Sequence, residues 1–326
     1  MRILVTGGAG FVGRHLVRRL LNRGDDVLCV DPVAPRTGGK DPKDGWPLFD
    51  PRDFAQFQYL RVDCRDWFAN HPAECFDEVY HLAALVGGRE VIEHDPLAVA
   101  EDLAIDAMFW RWAKQARPSW IGCFSSSAAY PVRLQTRENH RLLREDDIDF
   151  ANDIGHPDLT YGWAKLTCEY LAKIAYEKHG LKSCTFRPFS GYGEDQDLAY
   201  PFPSIVKRVL DNRTQKLLHV WGSGHQMRDF VHIEDCIDLI MMASGKISDA
   251  SAINISSGNL TSFIELTRLA GRQLNLDLEV RGMSDKPEGV FARGGDTVRQ
   301  AKIGFKPEIA LDEGLRRAIG YFELGA

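Results

Sequence analysis

The stretch Thr6-Gly7-Gly8-Ala9-Gly10-Phe11-Val12-Gly13 decides the fold. It follows the apolar run Arg2 to Thr6 and leads into a helical pattern over Val12 to Asn22, so it reads as a strand-to-helix turn. Gly7 permits the tight turn, Gly10 lets the backbone approach a pyrophosphate, and Gly13 allows close helix packing. The anion would then sit on the unpaired N–H groups at the start of the helix. Asp31 ends the next strand-like run. A carboxylate there accepts hydrogen bonds from ribose hydroxyls and repels a 2′-phosphate, which favours NAD over NADP. A plain glycine turn and a surface aspartate form the competing reading. Asp63, at the end of the third run, is either an acceptor for the adenine amino group or a helix N-cap.

Working outward, the same alternation continues. Strand-like runs cover Asp26 to Asp31, Gln58 to Val62, Glu78 to His81, Trp120 to Ser125 and Ser183 to Arg187. Helical patterns cover Leu97 to Ala116 and Tyr161 to His179. This predicts an α/β fold with a doubly wound, parallel Rossmann sheet and right-handed crossovers. Residues 1–187 are expected to form the dinucleotide-binding domain, with 228–258 returning to it. Gly-, Pro- and Tyr-rich punctuation after Arg187 predicts a smaller C-terminal substrate-binding lobe from 188–227 and 259–326. Residues Pro32 to Asp53 carry many prolines and no periodicity, and read as a lid or a mobile insertion.

Composition excludes several classes. Net charge is −6 with Lys and Arg scattered, so no basic stripe offers itself to nucleic acid. No apolar run is long enough to span a bilayer. A strand begins at Arg2, so no signal peptide is expected, and the location read from this is cytoplasmic. Seven cysteines without a C-x-x-C pair predict reduced core thiols such as Cys29, Cys123 and Cys184. Ten histidines show no ligand spacing, so no metal is expected.

Tyr161-Gly162-Trp163-Ala164-Lys165 sets a tyrosine and a lysine one helical turn apart on one face. A tyrosine of ordinary pKa, about 10, is a poor base at neutral pH. A nearby ammonium and a positive nicotinamide ring favour its phenolate, which can take a hydroxyl proton as hydride leaves the same carbon. Alone, such a pair is also common on amphipathic helices. Ser125-Ser126-Ser127 ends the fifth strand, either as the third polar partner or as a cap of the next segment.

The chain resembles the extended short-chain dehydrogenase/reductase family of nucleotide-sugar epimerases and dehydratases over nearly its full length. The matching stretches are Thr6 to Gly13, His81 to Ala84, Phe124 to Pro131, Tyr161 to Lys165, Arg187 to Gly193 and Trp221 to Asp235. The resemblance implies bound NAD, with Gly7, Gly10, Phe11, Val12, Gly13, Asp31, Asp63, Leu82, Ala83 and Ala84 around it, together with Tyr161 and Lys165. It implies Ser126, Tyr161 and Lys165 as the catalytic set. It also implies a nucleotide-sugar substrate held by Gly87, Arg89, Ser127, Ser190, Arg228 and Arg293. Arg228 matches the arginine that meets the pyrophosphate; Arg293 is a second phosphate ligand or an exposed surface arginine. Ser190 stands where the family has asparagine.

Subfamilies of that group differ beside Ser126. The 4,6-dehydratases carry Asp-Glu where this chain has Ser127-Ala128, and the decarboxylases carry a glutamate at the second position. Elimination of water loses its proton carriers here. GDP-fucose synthases and GDP-mannose 3,5-epimerases share residues like Val86-Gly87-Gly88, which leans the nucleotide towards GDP. They place a cysteine base where Ala128 stands and a histidine acid where Asp195 stands. What remains is reversible oxidation at C4. The expected activity is a nucleotide-sugar 4-epimerase, with a 4-dehydrogenase or a silent NAD and nucleotide-sugar sensor as alternatives. Arg89, Glu90, His156 and Asp195 are candidates for an extra acid or base.

The segment Leu97 to Ala113 reads as apolar nearly all round and is expected to be buried on two sides. Pairing with the helix of Tyr161 across a two-fold axis gives a homodimer, as the resemblance also implies. The alternative is that the Pro32 to Asp53 loop covers the second side.

Overall fold

The computed structural model describes residues 1–34, 38–85 and 95–325, which form two compact units. The first comprises Met1–Ala129, Pro157–Arg187 and Ile237–Ile253; the second comprises Tyr130–His156, Pro188–Cys236 and Asn254–Ala326. This differs from the expected division at three places. Residues 130–156, 228–236 and 254–258 belong to the second unit, and hydrogen bonds join these segments to one another. Tyr130 Oη donates to Asn254 Oδ1 at 2.6 Å, and Asp229 accepts from the Ser257 amide at 2.8 Å.

The sheet of the first unit contains β1 (Arg2–Thr6), β2 (Asp26–Val30), β3 (Phe57–Leu60), β4 (Glu78–His81), β5 (Trp120–Phe124), β6 (Ser183–Pro188) and β11 (Ala252–Ile255). Their order is β3-β2-β1-β4-β5-β6-β11, and β3 through β6 pair in parallel. Ile3, Leu4 and Val5 are buried on both faces of the sheet, as a parallel strand covered by helices requires. All these strands run the same way, but the order of winding reverses between β1 and β4, and ligands bind at the carboxyl ends beside such a switch point. The connecting helices are α1 (Phe11–Arg23), α2 (Cys64–Asn70), α3 (Pro96–Val99), α4 (Asp102–Ala116), α5 (Leu159–His179) and α7 (Ile233–Ala243). Trp67, Phe68, Phe109 and Trp112 pack together beneath α2 and α4.

The predicted helix over Leu97 to Ala116 is two helices. Ala100 and Glu101 donate to the carbonyls of Leu97 and Ala98, three residues back rather than four, and this tight turn separates α3 from α4. Nor is the segment apolar all round. Asp102 and Asp106 point inward and are buried, whereas Leu103, Ala104 and Ala107 are exposed. The loop after β2 is more ordered than expected in its described part. Asp41 and Asp50 cap two short 3-10 turns, Pro42–Asp44 and Pro51–Asp53, and buried Trp46 packs on Phe49 and Phe57. That anchors residues 38–53 beside β3 rather than over α4.

The second unit is built on α6 (Pro201–Asp211), α8 (Phe263–Gln273), α9 (Val298–Lys302) and α10 (Leu311–Glu323). Tyr192, Phe202, Val206, Leu266 and Leu315 lie in its core. Three small sheets complete it: β7 (Ser190–Tyr192) with β10 (Phe230–His232), β8 (Leu217–Trp221) with β13 (Glu279–Met283), and β12 (Thr261–Ser262)-β9 (Met227–Arg228)-β14 (Ala292–Arg293).

Candidate active site

The glycine loop joins β1 to α1 at the switch point. Gly7 has φ +75°, and a Cβ there would lie 2.6 Å from the amide nitrogen of Ala83, so Gly7 lets the loop touch the segment after β4. A Cβ on Gly13 would lie 2.6 Å from the Cα of Gly8. Gly10 caps α1 without a side-chain partner, and no acidic residue occupies the first turn. Gly7, Gly10, Phe11 and Val12 are partly open, as are Leu82, Ala83 and Ala84 across the switch point.

Asp31 follows β2 and is buried. Its Oδ2 accepts from the Ala9 amide at 3.0 Å and its Oδ1 from the Val33 amide at 2.6 Å. Burial pushes its carboxyl up, while the Val33 and Ala9 amides and the Arg14 guanidinium pull it down. Each oxygen retains a second lone pair for a ribose hydroxyl. Asp63 is the N-cap of α2, accepting from the Arg65 amide at 2.8 Å and pairing with the Arg65 guanidinium; capping leaves lone pairs on the carboxylate and does not exclude a contact to the adenine amino group. That guanidinium holds the Asp63 carboxyl below its usual range.

The serines at the end of β5 have separate partners. Ser125 Oγ donates to Glu169 Oε1, turning this serine towards the core pair of Glu169 and Arg187. Ser126 Oγ accepts from the Ala128 amide at 3.1 Å. Ser127 begins the 3-10 turn Ser127–Ala129. Gly162 on α5 packs against that turn, because a Cβ there would collide with the Ala128 carbonyl. The second residue of the Tyr161 to Lys165 stretch thus lets the helix press onto the Ser126 segment. Lys165 Nζ lies 5.7 Å from the Tyr161 ring centroid and 3.3 Å from Asp102 Oδ2. Burial works against the lysine's charge, yet Asp102, Tyr161 and Asp106 hold its pKa well above the usual range.

In the second unit, Arg228 and Arg293 are register partners on the parallel strands β9 and β14. Arg228 donates Nη1 to the Met227 and Val290 carbonyls, and Arg293 donates Nε to Gln135 Oε1 at 2.6 Å. Arg293 is half-buried, so the exposed-arginine alternative does not hold. Ser190 opens β7 and donates its amide to the Asp229 carbonyl. Asp195 is buried and His156 is exposed. Gly87, Arg89 and Glu90, with Val86 and Gly88, lie outside the described residues.

Two residues escaped sequence reasoning. Asp102 sits in an apolar stretch, and only the fold brings it to Lys165. Asp229, between Arg228 and Phe230, is fully buried and accepts from Ser256, Ser257, Gly258 and Gly295. It ties β9 to the segments that carry β12 and β14.

Comparison with known proteins completes the picture. Residues 3–256 match the model of the NAD dependent epimerase/dehydratase family. The chain belongs to this family. It is 28% identical to a putative UDP-glucose 4-epimerase of Methanocaldococcus jannaschii, over 98% of both chains. It is 27% identical to the GDP-mannose 3,5-epimerase of Arabidopsis thaliana, covering 99% of this chain and 81% of that one. Among solved structures, the UDP-glucuronic acid 4-epimerase of Bacillus cereus, in complex with UDP-glucuronic acid and NAD, superposes with a TM-score of 0.82 at 23% identity over 100% of both chains. The dTDP-glucose 4,6-dehydratase of Streptomyces venezuelae gives 0.84 at 22% identity over 99% of this chain and 97% of that one. As a member of the NAD-dependent epimerase/dehydratase family, the chain takes NAD as its cofactor. The glycine loop fits that group: side chains at Gly7 and Gly13 would fill the turn, and the first turn of α1 presents no carboxylate to a pyrophosphate.

Proposed function

We propose that this member of the epimerase/dehydratase family is a nucleotide-sugar 4-epimerase. The observation that carries the reading is Ala128. It is buried beside Ser126 with its amide hydrogen-bonded to the serine hydroxyl, and it offers no proton carrier for elimination or for a second epimerisation. The remaining groups suffice for proton and hydride transfer at one carbon. Tyr161 takes the proton of the C4 hydroxyl, Ser126 holds the C4 oxygen, and Lys165 favours the phenolate. NAD, when bound, supplies the acceptor and then the donor of the hydride. Return of hydride to the opposite face of C4, with the Tyr161 proton returning to oxygen, gives the epimer.

Arg228 and Arg293 are assigned to the substrate diphosphate, since register partners on β9 and β14 bring two arginines to the same level and a diphosphate offers oxygens enough for both. The residues Val86-Gly87-Gly88 make GDP-sugars the first candidates. UDP-sugars come second, because 4-epimerase relatives carry that nucleotide in their names. The location assigned is the cytoplasm; no helix among the described residues is long and apolar enough to cross a membrane.

The test is to incubate purified protein with GDP-, UDP-, dTDP- and CDP-sugars in deuterated water and identify products by NMR. The expected product is a 4-epimer without deuterium at C3 or C5. Deuterium at either carbon overturns the reading. Lasting absorbance at about 340 nm with a free 4-keto sugar points to the 4-dehydrogenase instead. Tyr161→Phe is expected to abolish turnover and leave NAD and substrate binding in place. Binding by the wild type with no turnover of any sugar would favour a sensor.

A further inference from the structure

Asp102 opens α4 and has two partners. Its Oδ1 accepts from the Leu85 amide at 2.6 Å, just after β4, and its Oδ2 lies 3.3 Å from Lys165 Nζ on α5. Asp102 is 1% exposed and Lys165 3% exposed, so water screens neither. Asp106 stands one turn further along α4, also buried, with its Oδ1 3.3 Å from His81 Nε2. Two carboxylates at this spacing repel each other on an isolated helix, and here both are turned into the core. The lysine therefore does not act on Tyr161 as an isolated cation.

We propose that Asp102 is a positioning residue of the reacting pair: it fixes the Lys165 ammonium against the segment after β4 and offsets part of its charge at Tyr161, so that α4 helps set the pH at which Tyr161 gives up its proton. The proposal rests on reading Tyr161 and Lys165 as the reacting pair. Besides Asp102, the groups acting on the lysine charge are Asp106 on α4 and Tyr161 and Cys168 on α5; around these lie His81 on β4, paired with Asp106, and Cys123 on β5 and Glu169 on α5, both beside Cys168, with Glu169 already neutralised by Arg187. Cys123 and Cys168 are fully buried, and burial holds both thiols well above their usual range, so they stay uncharged. Asp102 and Asp106 are thus the charges that can oppose Lys165. A base that must return its proton works best when it titrates near the working pH, and a fully unopposed ammonium would hold the phenolate too firmly.

The test is a pH titration of tyrosinate absorbance on the NAD holoenzyme without sugar, with the Tyr161→Phe protein subtracted. Asp102→Asn keeps an acceptor for the Leu85 amide and removes the charge. Its Tyr161 midpoint is expected about one pH unit below wild type, the size of one screened charge pair in a protein interior. Asp102→Glu should restore the wild-type midpoint to within a few tenths of a unit. A midpoint in Asp102→Asn that stays in place or rises overturns the proposal. If that protein does not fold, Asp106→Asn takes its place, with a smaller downward shift expected and no shift overturning the idea. Because no substrate is present, an error in the assigned reaction leaves this titration unchanged, and the turnover assay reports that error separately.

Discussion

Gly162 on α5 packs its α-carbon directly against the carbonyl oxygen of Ala128, and a Cβ there would also stand 2.9 Å from the Cβ of Pro157. Both obstacles are held in place: Ala128 lies in a buried turn and its carbonyl accepts from the Asp158 amide at 3.0 Å. Gly162→Ala must therefore push α5 away from the Ser126 segment. Overpacking of this kind costs about 1–3 kcal/mol. The expected outcome is a lower Tm and a fall in kcat of tenfold or more, with NAD still bound. A variant with wild-type kcat would separate this contact from the chemistry.

Cofactor choice should follow Asp31. A hydrogen-bonded pair to a charged group contributes about 1.5–3 kcal/mol, roughly ten- to a hundredfold in affinity. Asp31→Ala is expected to lose that much of the preference for NAD over NADP, as measured by cofactor titration. The variant should also lose stability, because the Ala9 and Val33 amides lose their acceptor. Equal affinity of the wild-type protein for NADP would refute the role.

The register pair Arg228 and Arg293 predicts a distinctive asymmetry. Replacing either with Gln should raise KM for the nucleotide-sugar at least tenfold, since a charge-assisted contact to phosphate is lost. Protein stability should fall only modestly, by the loss of the hydrogen bonds to the Met227 and Val290 carbonyls or to Gln135. A large loss of Tm at unchanged KM would assign these arginines to the scaffold.

Self-association is the remaining prediction. Trp163, Thr167, Tyr170 and Ile174 form a stripe at helical spacing on α5; Trp163 and Tyr170 are 42% and 46% exposed. Leu103 and Ala107 are exposed on α4, which packs against α5. Residues 38–53 lie beside β3 and do not cover this face, which favours a two-fold helical interface with a second copy. Light scattering at micromolar concentration should give twice 36.7 kDa, and Tyr170→Glu should give the monomer. A monomeric wild type would mean that this apolar surface has another use.

Much of the first unit was legible because its signals are local. The run Ile3-Leu4-Val5, the loop Thr6 to Gly13 and the Tyr161–Lys165 spacing each depend on residues within a few positions of one another, and backbone geometry makes such patterns direct. From these the sequence alone determined the parallel sheet, the glycine loop with Asp31, and the tyrosine and lysine sharing one helix face. Its errors lie where distant segments compete for the same residue. Helical periodicity ran through Ala100 because sequence does not show that Asp102 is drawn inward to Lys165, sixty-three positions away, and to the Leu85 amide. The boundary after Arg187 holds, but placing 130–156 and all of 228–258 in the first domain missed that Tyr130 and Asp229 spend their hydrogen bonds on Asn254 and on Ser256 to Gly258. Only the tertiary structure decided which carboxylates are buried against which cations. Burying a charge is tolerable only with a partner at contact distance, and contact distance is a property of the folded chain.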